Sequence, residues 1–235
     1  MTMADAATPQ AASPPTPEGL FASAVIRLQK EYARAGEQPT PRAAATMAAL
    51  RKADPGDVDG SPSTWAVLYS TFPEGYLSDR DGISDRERAA HAALVLYGVH
   101  QASQTTPLHR AGIRLGQALR QLPEAQEDKS PVLRRFTSLI AATSFKATMY
   151  HLRGLMTLLR REGIQLDHVS LYRDLVALQD PHRAPAVRRQ WGRDYFGSRV
   201  HDAEETSPGT PPGAPADSVA ESADAPEPID PQTHA

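Results

Sequence analysis

From residue 20 to residue 196 the chain is punctuated by helix-start signals, and this punctuation limits its fold more than any single motif. Thr40-Pro41 and Ser130-Pro131 each place a capping hydroxyl before a proline at the first helical position. Ser84-Asp85-Arg86-Glu87 reads as a capping box, and Ser144 opens a further segment. Between these signals apolar residues recur three and four apart, as in Leu20, Phe21, Ala24, Val25 and Leu28. The pattern predicts helices over 20–35, 40–53, 62–72, 84–103, 113–122, from 130, from 144, over 167–179 and over 185–196. Strand signals are almost absent and no repeat of fixed period is visible. The expected fold is all-α, a compact bundle of about nine helices joined by short loops.

Composition bounds the ends. Residues 1–18 are dominated by Ala, Pro and Thr, and 203–235 by Pro, Ala, Ser, Asp and Glu, with almost no large apolar side chain. Such segments cannot bury enough surface to offset ordering, so 1–18 and 201–235 are expected to be disordered around a helical domain at 19–200. There is no cysteine, which removes disulfides and thiolate metal sites. No apolar run reaches the roughly 18 residues of a membrane span, and the N-terminus lacks the basic start and apolar stretch of a secretion signal. The expectation is a cytoplasmic protein with no membrane contact.

The formal net charge of −3 conceals a division. Residues 19–200 hold all 25 Lys and Arg against 18 Asp and Glu. Residues 201–235 hold 8 acids and no Lys or Arg. A basic body with an acidic tail points to a polyanionic partner.

The segment "HLRGLMTLLRREG", 151–163, shows how the charge is arranged. On a helical wheel Phe145, Met149, Leu152, Met156 and Leu159 share one sector with Leu155 beside it, which marks the core face. Lys146, Arg153 and Arg160, seven apart, align along its flank as a basic stripe about 20 Å long. Arg110 and Arg114 begin a shorter stripe continued by Gln117 and Gln121. Arg134-Arg135 and Arg188-Arg189 are basic pairs on neighbouring helices. The flank arginines have few acids nearby, and phosphate would supply the missing charge. His151 falls off the core sector, and Trp65 and Trp191 read as core or interface anchors.

No catalytic constellation accompanies this charge. The eight histidines lack metal-ligand spacing, and no HExxH occurs. His201-Asp202 imitates a phosphohydrolase pair but sits in the acidic tail. "DRDGISDRE", 79–87, has its glycine at the fourth position of a would-be calcium loop instead of the sixth, and lacks the closing Glu, so it reads as a turn before a capped helix. No Gly-rich loop follows a strand. No metal and no cofactor are expected.

The order of motifs resembles the CasB small subunit of the type I-E CRISPR effector, Cascade, over roughly 43–196. The carriers are "LRKADPG", "TWAVLY", "AALVLYGVHQ", "AGIRLGQAL" with its Leu-Gly-x-Ala-Leu segment, "LRRFTSLIAA", "HLRGLMTLLRREGIQLDHVSLYRDL" and "VRRQWGRDYF", in that order. The Pro-rich ends lie outside the resemblance. It implies a non-catalytic, all-helical protein with an N-terminal and a C-terminal lobe, paired head to tail with a second copy. It further implies contact with the backbone and large subunits, with CRISPR RNA, and with target DNA whose displaced strand the basic face guides in the R-loop. By position the family's basic sites map onto Arg51, Lys52, Arg110, Arg134, Arg135, Arg153 and Arg173. Arg160, Arg188 and Arg189 are added from the wheel and the charge count.

Three other readings of the same residues stay open at this stage. A free-standing helical regulator would need a recognition helix. An assembly protein would pair its arginines with acidic subunits. An enzyme would need a nucleophile, metal or nucleotide motif that the sequence does not display.

Overall fold

The computed structural model describes residues 15–33, 37–73, 76, 82–123, 125, 127 and 130–197. The acidic tail, His201-Asp202, most of the N-terminal segment and the start of "DRDGISDRE" lie outside the described residues. Nine α-helices make up the described fold: α1 Pro17–Tyr32, α2 Pro41–Lys52, α3 Trp65–Thr71, α4 Asp85–Gln101, α5 Leu115–Arg120, α6 Pro131–Ala141, α7 Phe145–Arg161, α8 His168–Leu178 and α9 Ala184–Phe196. A single 3-10 turn, Pro62–Thr64, leads into α3. Among the described residues there is no strand, only an isolated bridge between His109 and Leu166.

Local chemistry starts the helices. The side chains of Thr40, Ser130 and Ser144 accept the amides of Ala43, Leu133 and Ala147, as the sequence predicts. Asp167 caps α8 through the amides of Val169 and Ser170. Two readings need adjustment. Helix α1 begins earlier than predicted, because Thr16 and Pro17 form the same cap-and-proline signal inside the Pro-rich end. The capping box at α4 is half formed: Ser84 Oγ accepts the Glu87 amide, but the Glu87 carboxylate accepts from Tyr69 Oη at 2.9 Å instead of returning to its own helix.

Helix α4 is the axis of the molecule. From Ala89 to Ala102 every residue is buried, so the helix is enclosed on all sides. Helices α1, α2 and α3 form one group beside it, and α5, α6, α7 and α9 another that packs on it through α7, while α8 touches α1, α4 and α9. One continuous apolar core runs through both groups. Stacked ring pairs bind the groups internally: Phe21 on Tyr172 joins α1 to α8, and Phe136 on Tyr195 joins α6 to α9. Trp191 is buried and donates to Asp174 Oδ2 at 2.6 Å, while Trp65 is about one-third exposed and donates to the Val58 carbonyl at 3.0 Å.

Small residues set the closest helix crossings. At Gly98 an added Cβ would stand 2.5 Å from Leu50 Cβ, so α2 and α4 approach to a distance no side chain there permits. At Gly116, in the Leu-Gly-x-Ala-Leu segment, an added Cβ would meet the Trp191 carbonyl oxygen, Asp194 Cβ at 2.6 Å and the Tyr195 amide at 2.8 Å. That glycine is what lets α5 lie against the backbone of α9.

The loops α4–α5 and α7–α8 are clasped together. Arg110 N donates to the Leu166 carbonyl at 3.1 Å and Leu166 N to the Leu108 carbonyl at 2.9 Å. Asp167 Oδ2 accepts the amide of Gly112, whose φ of 90° suits glycine. Beneath this clasp three histidines meet. His100 Nδ1 and His168 Nε2 are 3.2 Å apart, His100 Nε2 faces the Ile164 carbonyl at 2.9 Å, and His109 Nδ1 accepts the His168 amide at 3.3 Å. Since a carbonyl only accepts, His100 carries its proton on Nε2, and Nδ1 is left to accept from His168. Burial holds all three rings neutral: it lowers His100 to about 4, assisted by the nearby Arg160, and pushes His168 and His109 below the usual imidazole range.

Candidate nucleic-acid interface

The predicted basic residues divide into three kinds once folded. The first kind meets in a groove between α6 and α7, about 700 Å³ in volume. Arg134 and Arg135, both exposed, line it from α6, and half-buried Arg153 from α7. Tyr150, His151, Gly154 and Thr157 also line it along α7.

The second kind completes helix ends. Arg153 donates from Nη1 to the Ala53 carbonyl at 2.7 Å and from Nη2 to the Arg51 carbonyl at 2.5 Å, both at the C-terminus of α2. Arg188 donates to the Ala142 carbonyl at the end of α6, at 2.9 Å; Arg120, which the sequence reading did not single out, does the same for the Gly197 carbonyl at the end of α9, at 2.5 Å. The last carbonyls of a helix lack intrahelical partners and carry the negative end of its dipole, so a guanidinium satisfies both needs. The sequence expectation that Arg153 finds its counter-charge only in phosphate is therefore amended: it has partners within the chain and still borders the groove.

The third kind is dispersed. Arg51 and Lys52 are exposed at the end of α2, Arg173 on α8 and Arg189 on α9. Arg110 is exposed on the loop clasp, 3.4 Å from Gln165 Oε1, and Arg160 is half-buried beside His100. The shorter predicted stripe does not form a free face. Arg114 pairs with Asp194 of α9 at 3.3 Å, and Gln117 Oε1 accepts the Arg114 amide at 2.9 Å.

The wheel reading missed Tyr150. Its ring is 77% exposed and meets His151 edge-on, with centroids 5.3 Å apart. An aromatic outside the core sector of α7 was the available signal. A glycine in the interior of the same helix, Gly154, was a second.

The arrangement has cationic donors and an open floor, and chemically it can hold a polyanion. Among the described residues no group of three or more His, Asp or Glu side chains is arranged to hold a metal ion, and no described helix is long and apolar enough to cross a membrane. An all-α bundle with a cationic groove is the class that the fold and the site define.

Comparison with known proteins narrows that class. The sequence model of the CRISPR-associated protein Cse2 family matches residues 46–196. The solved structure of CasB from Thermobifida fusca is 31% identical, with a TM-score of 0.60, and the match covers 77% of this chain and 98% of that one. A CRISPR-associated protein of the Cse2 family from Thermus thermophilus is 23% identical, with a TM-score of 0.54, over 78% of this chain and 99% of that one. CasB from M. ruber is 22% identical, with a TM-score of 0.53, over 82% and 98%. A search of curated protein sequences returned no match. The chain belongs to the Cse2, or CasB, family of CRISPR-associated proteins.

Proposed function

We propose that this Cse2-family chain is the non-catalytic small subunit of a type I-E Cascade complex, and that its basic surface holds nucleic-acid backbone and steadies the displaced strand of the R-loop. The observation that carries the reading is the α6/α7 groove, where Arg134, Arg135 and Arg153 converge. R-loop formation is a nearly balanced exchange of duplexes, so modest phosphate contacts tip it. The displaced strand varies in sequence, and arginine suits it: the planar fork pairs phosphate oxygens and stays charged. In this reading Arg51 and Lys52 extend the surface beside Arg153, and Arg110, Arg160, Arg173, Arg188 and Arg189 serve further contacts with DNA, CRISPR RNA, the backbone and large subunits, or a second copy.

The test is Arg134→Ala combined with Arg135→Ala. Losing two phosphate contacts lowers the affinity for single-stranded DNA and reduces the salt slope by about one to two. An unchanged affinity and slope, with an unchanged melting temperature, would mean that the pair is a protein contact or merely solvated.

A further inference from the structure

Two features of α7 have no account within the chain. Tyr150 is the most exposed large hydrophobic residue described, although its helix has an ample core face in Met149, Leu152, Leu155, Met156 and Leu159. Gly154 stands one turn further on, in the interior of a 17-residue helix, where glycine costs about 1 kcal/mol relative to alanine. Unlike Gly98 and Gly116, it is not required by packing: an added Cβ would find nothing within 4 Å. Both residues line the groove walled by Arg134 and Arg135. Residues four apart on a helix share a face, so the open position at Gly154 lies on the same face of α7 as Tyr150.

We propose that Tyr150 is a base-stacking platform, that Gly154 keeps the floor beside it clear for the stacked strand, and that the groove thereby selects single-stranded over duplex nucleic acid. The inference rests on the nucleic-acid reading of the groove and goes beyond it, because arginines alone do not distinguish the two. Phosphates are available on both forms, whereas base faces are available only on an unpaired strand; in a duplex they are covered by neighbouring bases. An exposed aromatic on a cationic floor reads that difference without reading sequence. From Tyr150 to Thr157 the helix rises about 10 Å, room for about three bases at the ~3.4 Å stacking spacing. The arginines along the groove favour a polyanion, and the exposed aromatic favours one with accessible base rings.

The experiment measures binding of the full chain, at low and moderate salt, to a fluorescein-labelled oligothymidylate and to a labelled duplex of equal length. Tyr150→Ala is expected to weaken single-strand binding by roughly five- to hundredfold, the loss of one stacked base. The salt slope and duplex affinity stay unchanged, since no phosphate contact is removed. Tyr150→Phe retains the ring and is expected to bind as the unaltered chain does. Gly154→Leu keeps a good helix former but fills the floor, and is expected to lose about tenfold or more while melting no lower than the unaltered chain.

Equal losses in the Phe and Ala variants overturn stacking in favour of a hydroxyl contact. An unaffected Tyr150→Ala, with Arg134→Ala and Arg135→Ala still reducing affinity and slope, overturns stacking and leaves the groove reading intact. If neither the tyrosine nor the arginine variants change binding, or the unaltered chain binds neither probe, both readings fall. An unaffected Gly154→Leu places the strand elsewhere on the surface and overturns the proposal.

Discussion

Replacing Gly116 by alanine tests the packing logic where α5 lies against α9. The new methyl carbon would stand 2.6 Å from Asp194 Cβ and 2.8 Å from the Tyr195 amide, and closer still to the Trp191 carbonyl. Favourable carbon contacts lie near ~3.5–4.0 Å, so α5 and α9 must separate by about 1 Å. The obstacles are mostly backbone and cannot rotate aside. Overpacking of this kind costs about 1–3 kcal/mol, and a site bounded by backbone belongs at the upper end. Alanine returns less than the full ~1 kcal/mol of helix propensity, since Gly116 lies in the first turn of a six-residue helix. The net loss is about 2 kcal/mol, a fall in melting temperature of about 4–8 °C for a domain of this size. Gly154→Ala is the internal control. Its methyl meets nothing, so the same substitution is expected to raise the melting temperature by about 2–4 °C. Thermal unfolding followed by far-ultraviolet circular dichroism, which reports helix content, reads both variants. Equal shifts in the two, in either direction, would refute the claim that backbone approach at α5/α9 decides the cost.

Arg153→Ala removes two bonds to the end of α2 and is expected to destabilise the fold by about 1–2 kcal/mol, discounted for partial exposure; chemical denaturation checks this, and Arg153→Lys recovers only part, having no planar fork. The histidine cluster predicts acid sensitivity. The folded pKa of His100 is depressed to about 4 against 6.5 unfolded, so the unfolded state binds more protons between these values. Stability from this group is present above pH ~6.5 and lost as pH falls towards ~4, on the order of 3 kcal/mol, and melting curves across that window are expected to flatten in His100→Asn. The acidic residues 201–235 are expected to compete for the basic surface: a chain ending at Val200 binds single-stranded DNA more tightly at low salt, with the gap closing as salt rises, whereas identical curves at both salts make the tail inert.

What the sequence determined by itself was the set of local decisions. A helix start depends on a hydroxyl or carboxylate and an amide two or three residues away, so Thr40, Ser84, Ser130 and Ser144 could be read in order along the chain. The core face of α7 was legible because helical geometry fixes which residues share a side. Thr16 carried the same kind of signal and was passed over because its Pro-rich surroundings suggested disorder. Tertiary structure decided everything that long side chains and close approaches settle. Glu87 left its own helix for Tyr69, 18 residues away, and Arg153 found the end of α2, 100 residues away. A guanidinium or carboxylate on a flexible stem takes whichever partner the fold brings within reach, and sequence spacing does not encode that partner. The same holds for glycine: Gly98, Gly116 and Gly154 are identical in sequence terms, yet neighbours in space make two of them obligatory and leave the third facing an open groove.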